Sequence, residues 1–169
     1  MCGIFGFVKI QETSVSDKSL LKNLVKLSES RGKESSGIAY RNNGEIGVLK
    51  MAERGSVLIK NSKYKNVVSN ALKTPFAIIG QTRLVTNGLM EDNLNNQPVI
   101  RDGVVGIHNG IIVNDHRIWQ KFNLKPNSTV DTEALLALIR NFENLGQPIS
   151  KATVNTFREI EGTASVALL

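Results

Sequence analysis

The first half of the chain alternates between apolar patterns typical of strands and of helices. Residues 3–10 are largely apolar and predict a strand. A helix is then predicted from about Ser16, and three leucines at helical spacing mark its apolar face: Leu20, Leu24 and Leu27. Residues 36–41 and 46–52 predict a hairpin, because the Asn-Gly pair between them favours a tight turn. Residues 54–73 fit one or two short helices.

The second half begins with a strand pattern that ends in polar residues. Residues 76–80 form a continuous apolar run, typical of a strand buried on both faces. The polar stretch at 81–96 is rich in Asn and predicts a long loop, and loops of this length often close over ligands. A second hairpin is predicted at 99–108, and its last strand continues into Asn109-Gly110. On its own this pair also fits a plain turn between two strands.

Three amphipathic helices and one strand are predicted in the remaining sequence. A short helix is predicted at 114–122, and a longer one from Asp131, with an apolar face formed by Leu135, Leu138, Ile139 and Phe142. The next helix, at 150–161, is expected to turn three residues inward: Val154, Phe157 and Ile160. The apolar stretch at 164–169 predicts a buried core strand.

Length and composition describe an ordinary globular domain. The 169 residues are 41% hydrophobic and 21% charged, which suffices for a sizeable core. The sequence lacks a membrane-spanning stretch and a signal-peptide pattern, so we expect a cytoplasmic protein without a membrane partner. The net charge of +6 raises the question of nucleic-acid binding, but the basic residues are dispersed and only 5% of residues are aromatic. We therefore expect a solvated basic surface and no nucleic-acid partner.

Cys2 is the only cysteine and directly follows the initiator methionine. A single cysteine excludes an internal disulfide and suits a reducing compartment. Removal of Met1 would leave a thiol and a free α-amino group on one residue. Because a thiol titrates near ~8.5 and an α-amino group near ~8, the amine can act as the base for its own side chain. The alternative is that Cys2 is only a small apolar residue at the start of a strand.

Six short motifs narrow these alternatives. In chain order they are MCGIFG at 1–6, RGKESSGI at 31–38, GQTRLVTNG at 80–88, NQPV at 96–99, HNGII at 108–112 and DTE at 131–133. Together they resemble the N-terminal glutaminase domain of class II glutamine amidotransferases, over essentially the whole chain. The run that begins at Asn109 is most similar to the branch that contains the glucosamine-6-phosphate synthases.

The resemblance implies the N-terminal-nucleophile (Ntn) hydrolase fold. This is an α+β fold, a four-layer αββα sandwich with two mainly antiparallel sheets between helical layers. The glutaminase domain would span residues 1–169, either truncated at the C-terminus or unusually short. The predicted strands and helices are compatible with this fold, but they do not single it out.

The resemblance also assigns catalytic roles to three residues. The Cys2 thiolate would attack the side-chain amide carbon of L-glutamine, and the α-ammonium of the same residue would give a proton to the departing ammonia. Water would then hydrolyse the thioester to glutamate. The resemblance assigns the oxyanion of the tetrahedral intermediate to the Asn109 side-chain amide and the Gly110 backbone N–H.

Substrate binding is implied for a second set of residues. Arg83 offers a bidentate donor for the α-carboxylate of glutamine, and Asp131 offers an acceptor for its α-ammonium. The loop expected to close over the substrate contains three more, Thr86, Asn87 and Gly88. Arg31 is expected to order the N-terminus near the nucleophile. Without the resemblance, the spacing of Ser128 and Asp131 fits a helix cap equally well.

Four positions depart from the family pattern: Glu34, Gln81, Leu84 and Asn87. They leave the nucleophile, the oxyanion donors and the two charged anchors in place, but they change the surroundings of the substrate loop. One alternative is therefore a non-catalytic module that binds or regulates. Another is an N-terminal-cysteine amidase with a different amide substrate.

Ammonia would need an acceptor, for example a sugar phosphate, on a second domain or a partner subunit. Three arrangements are compatible with the sequence. Either the acceptor domain is missing from this sequence, or ammonia passes to a separate partner chain, or the domain acts as a free glutaminase. No metal or organic cofactor is implied, since His108 and His116 lack a cluster of convergent ligands.

Overall fold

The structure is a computed structural model that describes residues 2–11, 16–72, 75–84 and 93–169. Four antiparallel strands form the first sheet: β1 (Gly3–Lys9), β2 (Ser35–Asn42), β3 (Glu45–Met51) and β4 (Phe76–Arg83). Their order is β1-β4-β2-β3. The predicted strands in this part of the chain are confirmed, although β4 continues past its apolar run as far as Arg83.

The hairpin between β2 and β3 shows why its turn could be predicted. Asn42 pairs with Glu45, which leaves Asn43 and Gly44 as the two turn residues. Both have positive φ, at 47° and 84°. Asn and Gly are the residues that adopt this conformation at least cost, so the Asn-Gly pair fixes the register of the two strands.

The second sheet carries the Asn109-Gly110 pair inside a strand. It consists of β5 (Val99–Arg101), β6 (Val104–Ile112) and β7 (Gly162–Leu168), in that order and antiparallel. Asn109 pairs with Ser165 and Gly110 with Ala164, so the alternative of a turn at this pair is wrong. The expected burial of the last strand is only partly confirmed. None of its residues is fully buried, but Ala164, Val166 and Leu168 pack against the core under the helices and Ala167 against the core between the sheets, so only the complete burial of the strand is wrong.

Helices cover the outer face of each sheet. The first layer contains α1 (Asp17–Glu29), α2 (Gly55–Leu58) and α3 (Ser62–Ala71), which pack on the first sheet through a shared apolar core. The other layer contains α4 (Asp115–Lys121), α5 (Asp131–Asn144) and α6 (Ile149–Glu159), which pack on the second sheet. A smaller core joins the sheets, where Ala39 and Ile79 meet Val105 and Ile107. The four-layer αββα sandwich is therefore confirmed.

Two helices bury faces that the sequence pattern did not predict. In α1 the buried residues are Leu21, Val25 and Ser28, whereas Leu27 is 73% exposed. The small Ser28 is buried because β1 passes very close: a Cβ on Gly3 would lie 2.4 Å from the Ser28 carbonyl oxygen.

The helix α6 departs from its prediction for a similar reason. It buries Ala152 and Thr156, while Val154 and Phe157 are exposed, and of the three residues predicted to face inward only Ile160 packs against the core. Small side chains allow the close packing of α6 on α5, and the larger apolar residues remain outside. None of the described helices combines the length and the apolarity that crossing a membrane requires.

Candidate active site

Cys2 lies directly before β1, at the end of the first sheet where β4 ends. The pairing of β1 with β4 places Gly3 opposite Thr82, so Cys2 comes next to the end of β4 at Arg83. The Cys2 Sγ lies 3.6 Å from the carbonyl oxygen of Leu84. The side chain is partly exposed and lies in a pocket of about 390 Å³, a size typical of small-ligand sites.

The pocket brings the nucleophile candidate and the oxyanion candidates together. Its walls are formed by residues of the N-terminus, β6 and β7: Cys2, Asn109, Gly110, Ile111, Thr163, Ala164 and Ser165. The Asn109 Oδ1 accepts a hydrogen bond from the Cys2 backbone nitrogen at 3.1 Å. Because the amide oxygen of Asn109 is used in this way, its NH₂ group is left to donate. The two residues are 107 positions apart in sequence.

Gly110 occupies a position where a larger residue would clash. A Cβ at this residue would lie 1.8 Å from the Thr163 carbonyl oxygen and 2.7 Å from the His108 Nε2. The first contact is with backbone and cannot be relieved by a side-chain rotation. Glycine is therefore required for β7 to approach β6 at the pocket.

Arg31 ties the end of α1 to the N-terminus. Its Nε donates to the carbonyl oxygen of Cys2 at 3.1 Å. The adjacent Gly32 touches the chain at the end of β4, since a Cβ there would lie 2.4 Å from the backbone of Arg83. The backbone of Cys2 is thus held at its carbonyl oxygen by Arg31 and at its nitrogen by Asn109.

Arg83 is buried beside the pocket and is not part of its wall. It is 3% exposed, and its Nη1 donates to the Asn96 Oδ1 at 3.2 Å. Burial lowers the pKa of the Arg83 guanidinium from its usual value, and the neighbouring acidic groups of Cys2 and Asp131 oppose this shift. The guanidinium is thus within electrostatic reach of both the thiol and the carboxylate.

Asp131 begins α5 but does not cap it. The residue before it, Val130, is the N-cap and makes no side-chain capping bond, so the helix-cap alternative is wrong. The Asp131 Oδ2 accepts instead from the backbone nitrogen of Ile112 at 2.9 Å, two residues beyond Gly110. Its Oδ1 lies 3.8 Å from the His108 Nδ1. Asp131 is buried behind the pocket, at the end of the strand that carries the oxyanion candidates.

The predicted substrate loop cannot be compared with the structure. Thr86, Asn87 and Gly88 lie outside the described residues. Of the other departures from the family pattern, Leu84 is exposed and its carbonyl oxygen lies beside the Cys2 thiol. Gln81 is buried, and its Oε1 accepts from the backbone nitrogen of His108 at 3.2 Å.

Sequence reasoning assigned no role to three buried polar residues near the pocket: His108, Thr132 and Gln97. They are joined by hydrogen bonds between side chains. Their place in the sequence could have identified them, because each lies in one of the six motifs. The chemistry that the resemblance implies gives these three residues no role.

Comparison with solved structures identifies the class to which this fold corresponds. A glutamine phosphoribosylpyrophosphate amidotransferase from B. subtilis, complexed with ADP and GMP, matches 99% of this chain and 35% of its own with a TM-score of 0.74 and 20% identity. A structure described as the allosteric regulatory enzyme of purine biosynthesis matches equally well. The fold is that of the Ntn glutamine amidotransferases.

Sequence relatives make the resemblance more specific. Glutamine–fructose-6-phosphate aminotransferases from Bacillus cereus, Halalkalibacterium halodurans and Bacillus subtilis are 30%, 31% and 32% identical over 172, 173 and 174 residues. The alignments cover 99% to 100% of this chain and 27% of each relative. Compared with models of known protein families, the chain matches none. The resemblance to class II glutamine amidotransferases is confirmed.

Proposed function

We propose that this chain hydrolyses the side-chain amide of L-glutamine to glutamate and ammonia, with Cys2 as the nucleophile. The observation that carries the proposal is the pocket in which Cys2 meets Asn109 and Gly110. A second support is the similarity, over the whole of this chain, to part of the glutamine–fructose-6-phosphate aminotransferases. The alternative that Cys2 is only a small apolar residue agrees less well with the structure. Cys2 lines a pocket, and both its backbone nitrogen and its carbonyl oxygen are hydrogen-bonded to side chains.

The reaction would proceed through a thioester. The α-amino group of Cys2 takes the proton of the thiol, and the sulfur attacks the amide carbon of glutamine. The negative charge that develops on the amide oxygen is stabilised by the Asn109 NH₂ and the Gly110 N–H. Collapse of this intermediate breaks the C–N bond, and the α-ammonium of Cys2 gives the leaving group its proton. Water then attacks the thioester, which releases glutamate and restores the thiol.

Two opposite charges would hold the zwitterionic end of the substrate. Arg83 would bind the α-carboxylate, for which its planar fork of donors is suited. Asp131 would accept from the α-ammonium through Oδ1, which among the described residues makes only the 3.8 Å approach to His108. Both groups are buried beside the pocket, where their charges are weakly screened. Thr86, Asn87 and Gly88 would close over the substrate.

The ammonia would be used by an acceptor outside residues 1–169. The relatives are named as aminotransferases that act on fructose 6-phosphate, and the chain spans 27% of their length. A sugar phosphate bound to a further domain or a partner subunit is therefore the acceptor that we favour. Residues 1–169 would form the glutaminase domain of such an enzyme.

The proposal is tested by glutamate release from L-glutamine, after intact mass has established whether Met1 is removed. We expect mature protein that begins at Cys2 and releases glutamate, and no release by Cys2→Ala. A protein that retains Met1 and is fully active, or equal release by both proteins, would remove the proposed mechanism. A non-catalytic binding module would instead bind glutamine without releasing glutamate.

A further inference from the structure

His108 is the centre of a buried polar chain that crosses from one side of β6 to the other. The residue is 3% exposed and directly precedes Asn109. Its Nδ1 lies 3.2 Å from the Thr132 hydroxyl in the first turn of α5. Its Nε2 lies 3.4 Å from the Thr163 carbonyl oxygen on β7. The imidazole therefore bridges a helix and a strand that both adjoin the pocket.

The chemistry of these partners gives the hydrogen bonds a direction. A carbonyl oxygen can only accept, so the His108 Nε2 carries the hydrogen that faces Thr163. In the neutral imidazole Nδ1 is then an acceptor, and the Thr132 hydroxyl can donate to it. That hydroxyl oxygen in turn accepts from the Gln97 Nε2 at 2.6 Å. The bonds run in one direction from Gln97 at one end to Thr163 at the other.

The Thr163 carbonyl at the end of this chain is the group that crowds Gly110. The position of a Gly110 Cβ lies 1.8 Å from that oxygen and 2.7 Å from the His108 Nε2. In addition, the His108 backbone nitrogen donates to the Gln81 Oε1 on β4 at 3.2 Å. His108 thus fixes β6 against three neighbours, β4, α5 and β7, one residue before the first oxyanion donor.

We propose that His108 is the positioning residue of the oxyanion site. By bonding Thr132 and Thr163 at once, its imidazole fixes the separation of β6 and β7 and so places the Asn109 and Gly110 donors relative to Cys2. The inference rests on the proposed glutaminase function. His108 does not line the pocket and acts through its neighbours, so it is not a catalytic residue.

Two amide variants test the bridge, because each retains one half of it. In His108→Gln the terminal amide reaches about as far as Nε2 and can still donate to Thr163. In His108→Asn the amide reaches only as far as Nδ1, and the bond to Thr163 is lost. We expect kcat for glutamate release to fall by at least about tenfold in His108→Asn, with little change in KM, because small displacements of reacting groups are costly. His108→Gln, which keeps the bond to Thr163 but loses the one from Thr132, is expected to retain more of the activity than His108→Asn.

A double-mutant cycle separates positioning from general destabilisation. If His108 acts through the oxyanion donors, His108→Asn combined with Asn109→Ala will lose less kcat than the product of the two single losses, because the part of the effect that runs through Asn109 is already gone. Multiplicative losses would overturn the inference. The exposed His116, substituted in His116→Asn, serves as the control and is expected to leave kcat unchanged.

A second pair of variants applies if His108→Asn does not fold. Thr132→Ser keeps the hydroxyl that donates to Nδ1, and Thr132→Val removes it at similar volume. We expect Thr132→Val to lower kcat and Thr132→Ser to retain it, and equal kcat in the two would overturn the inference. If the wild-type protein is active and His108→Asn has the same kcat, only the positioning role of His108 is overturned. If the wild-type protein shows no Cys2-dependent release of glutamate, the glutaminase function is overturned as well.

Discussion

At the scale of single residues, the site depends on contacts between groups that are remote in sequence. The bond from Cys2 to Asn109 joins the N-terminus to β6, and the bond from Arg31 to Cys2 joins it to the end of α1. The motifs identified these residues as a set, but no periodicity could show that they meet. The contact of Asp131 with the Ile112 backbone was equally hidden, because the same spacing fits a helix cap.

Asn109→Ala tests the oxyanion assignment at this scale. Loss of one oxyanion donor typically lowers the rate by ~10²–10³, because the developing charge is left without its partner. We therefore expect kcat to fall by that amount and KM for glutamine to change little, as measured by glutamate release. The exposed Asn66 on α3 provides a matched control, Asn66→Ala. A kcat within about threefold of wild type for Asn109→Ala would contradict the assignment.

At the scale of secondary-structure elements, apolar periodicity predicted where the helices and strands lie along the chain, but it predicted less well which face of each helix is buried. The positions of α4, α5 and the two hairpins followed from spacing and turn residues. The faces of α1 and α6 did not, because packing selected small residues such as Ser28 and Ala152 at close contacts. Whether a small or polar side chain is buried depends on the element that packs against it. That element lies elsewhere in the chain, so the pattern of a single segment does not reveal it.

The start of α5 illustrates how buried charge fixes an element. The Glu133 carboxylate accepts from the backbone nitrogens of Asn127 and Ser128 and from the Ser128 hydroxyl, and it pairs with Arg101. Removing one partner of a buried ion pair typically costs about 3–5 kcal/mol, because the other charge remains without compensation. Arg101 keeps Asp102 as a partner at 2.8 Å, so we expect Glu133→Ala to lose about 3 kcal/mol of free energy of unfolding in urea, at the lower end of this range.

The matched control for this prediction is Glu143→Ala near the other end of α5. Glu143 pairs with Arg140 at 3.2 Å and is partly exposed. Pairs of this kind contribute about 0–1 kcal/mol, so the urea midpoint should change little. Equal effects of the two substitutions would show that Glu133 does not fix the start of the helix.

At the scale of the whole molecule, the four layers place the termini of several elements around one pocket. The ends of β1 and β4 from the first sheet meet β6 and β7 from the second, and the start of α5 lies behind them. The resemblance predicted this architecture, while the patterns alone were only compatible with it. The two charges that would bind substrate are therefore held by different layers, Arg83 by β4 and Asp131 by α5, and binding should stabilise the whole fold.

Ligand-dependent stability tests this expectation. In Cys2→Ala, which lacks the proposed nucleophile, L-glutamine at 100 times its Kd should raise the free energy of unfolding by about 2.7 kcal/mol. Thermal unfolding with and without glutamine measures the effect. Cys2→Ala/Arg83→Met should lose most of the shift, since it lacks the partner of the α-carboxylate. A shift of the same size in both proteins would mean that Arg83 does not bind the substrate.

The covalent role of Cys2 is tested by the intact mass of the protein after rapid acid quenching during turnover of L-glutamine. We predict that a fraction of the wild-type protein gains the mass of one γ-glutamyl group, that the group maps to the Cys2 peptide, and that Cys2→Ala gains nothing. Glutamate release without such an adduct on Cys2, or an adduct at another residue, would contradict the account.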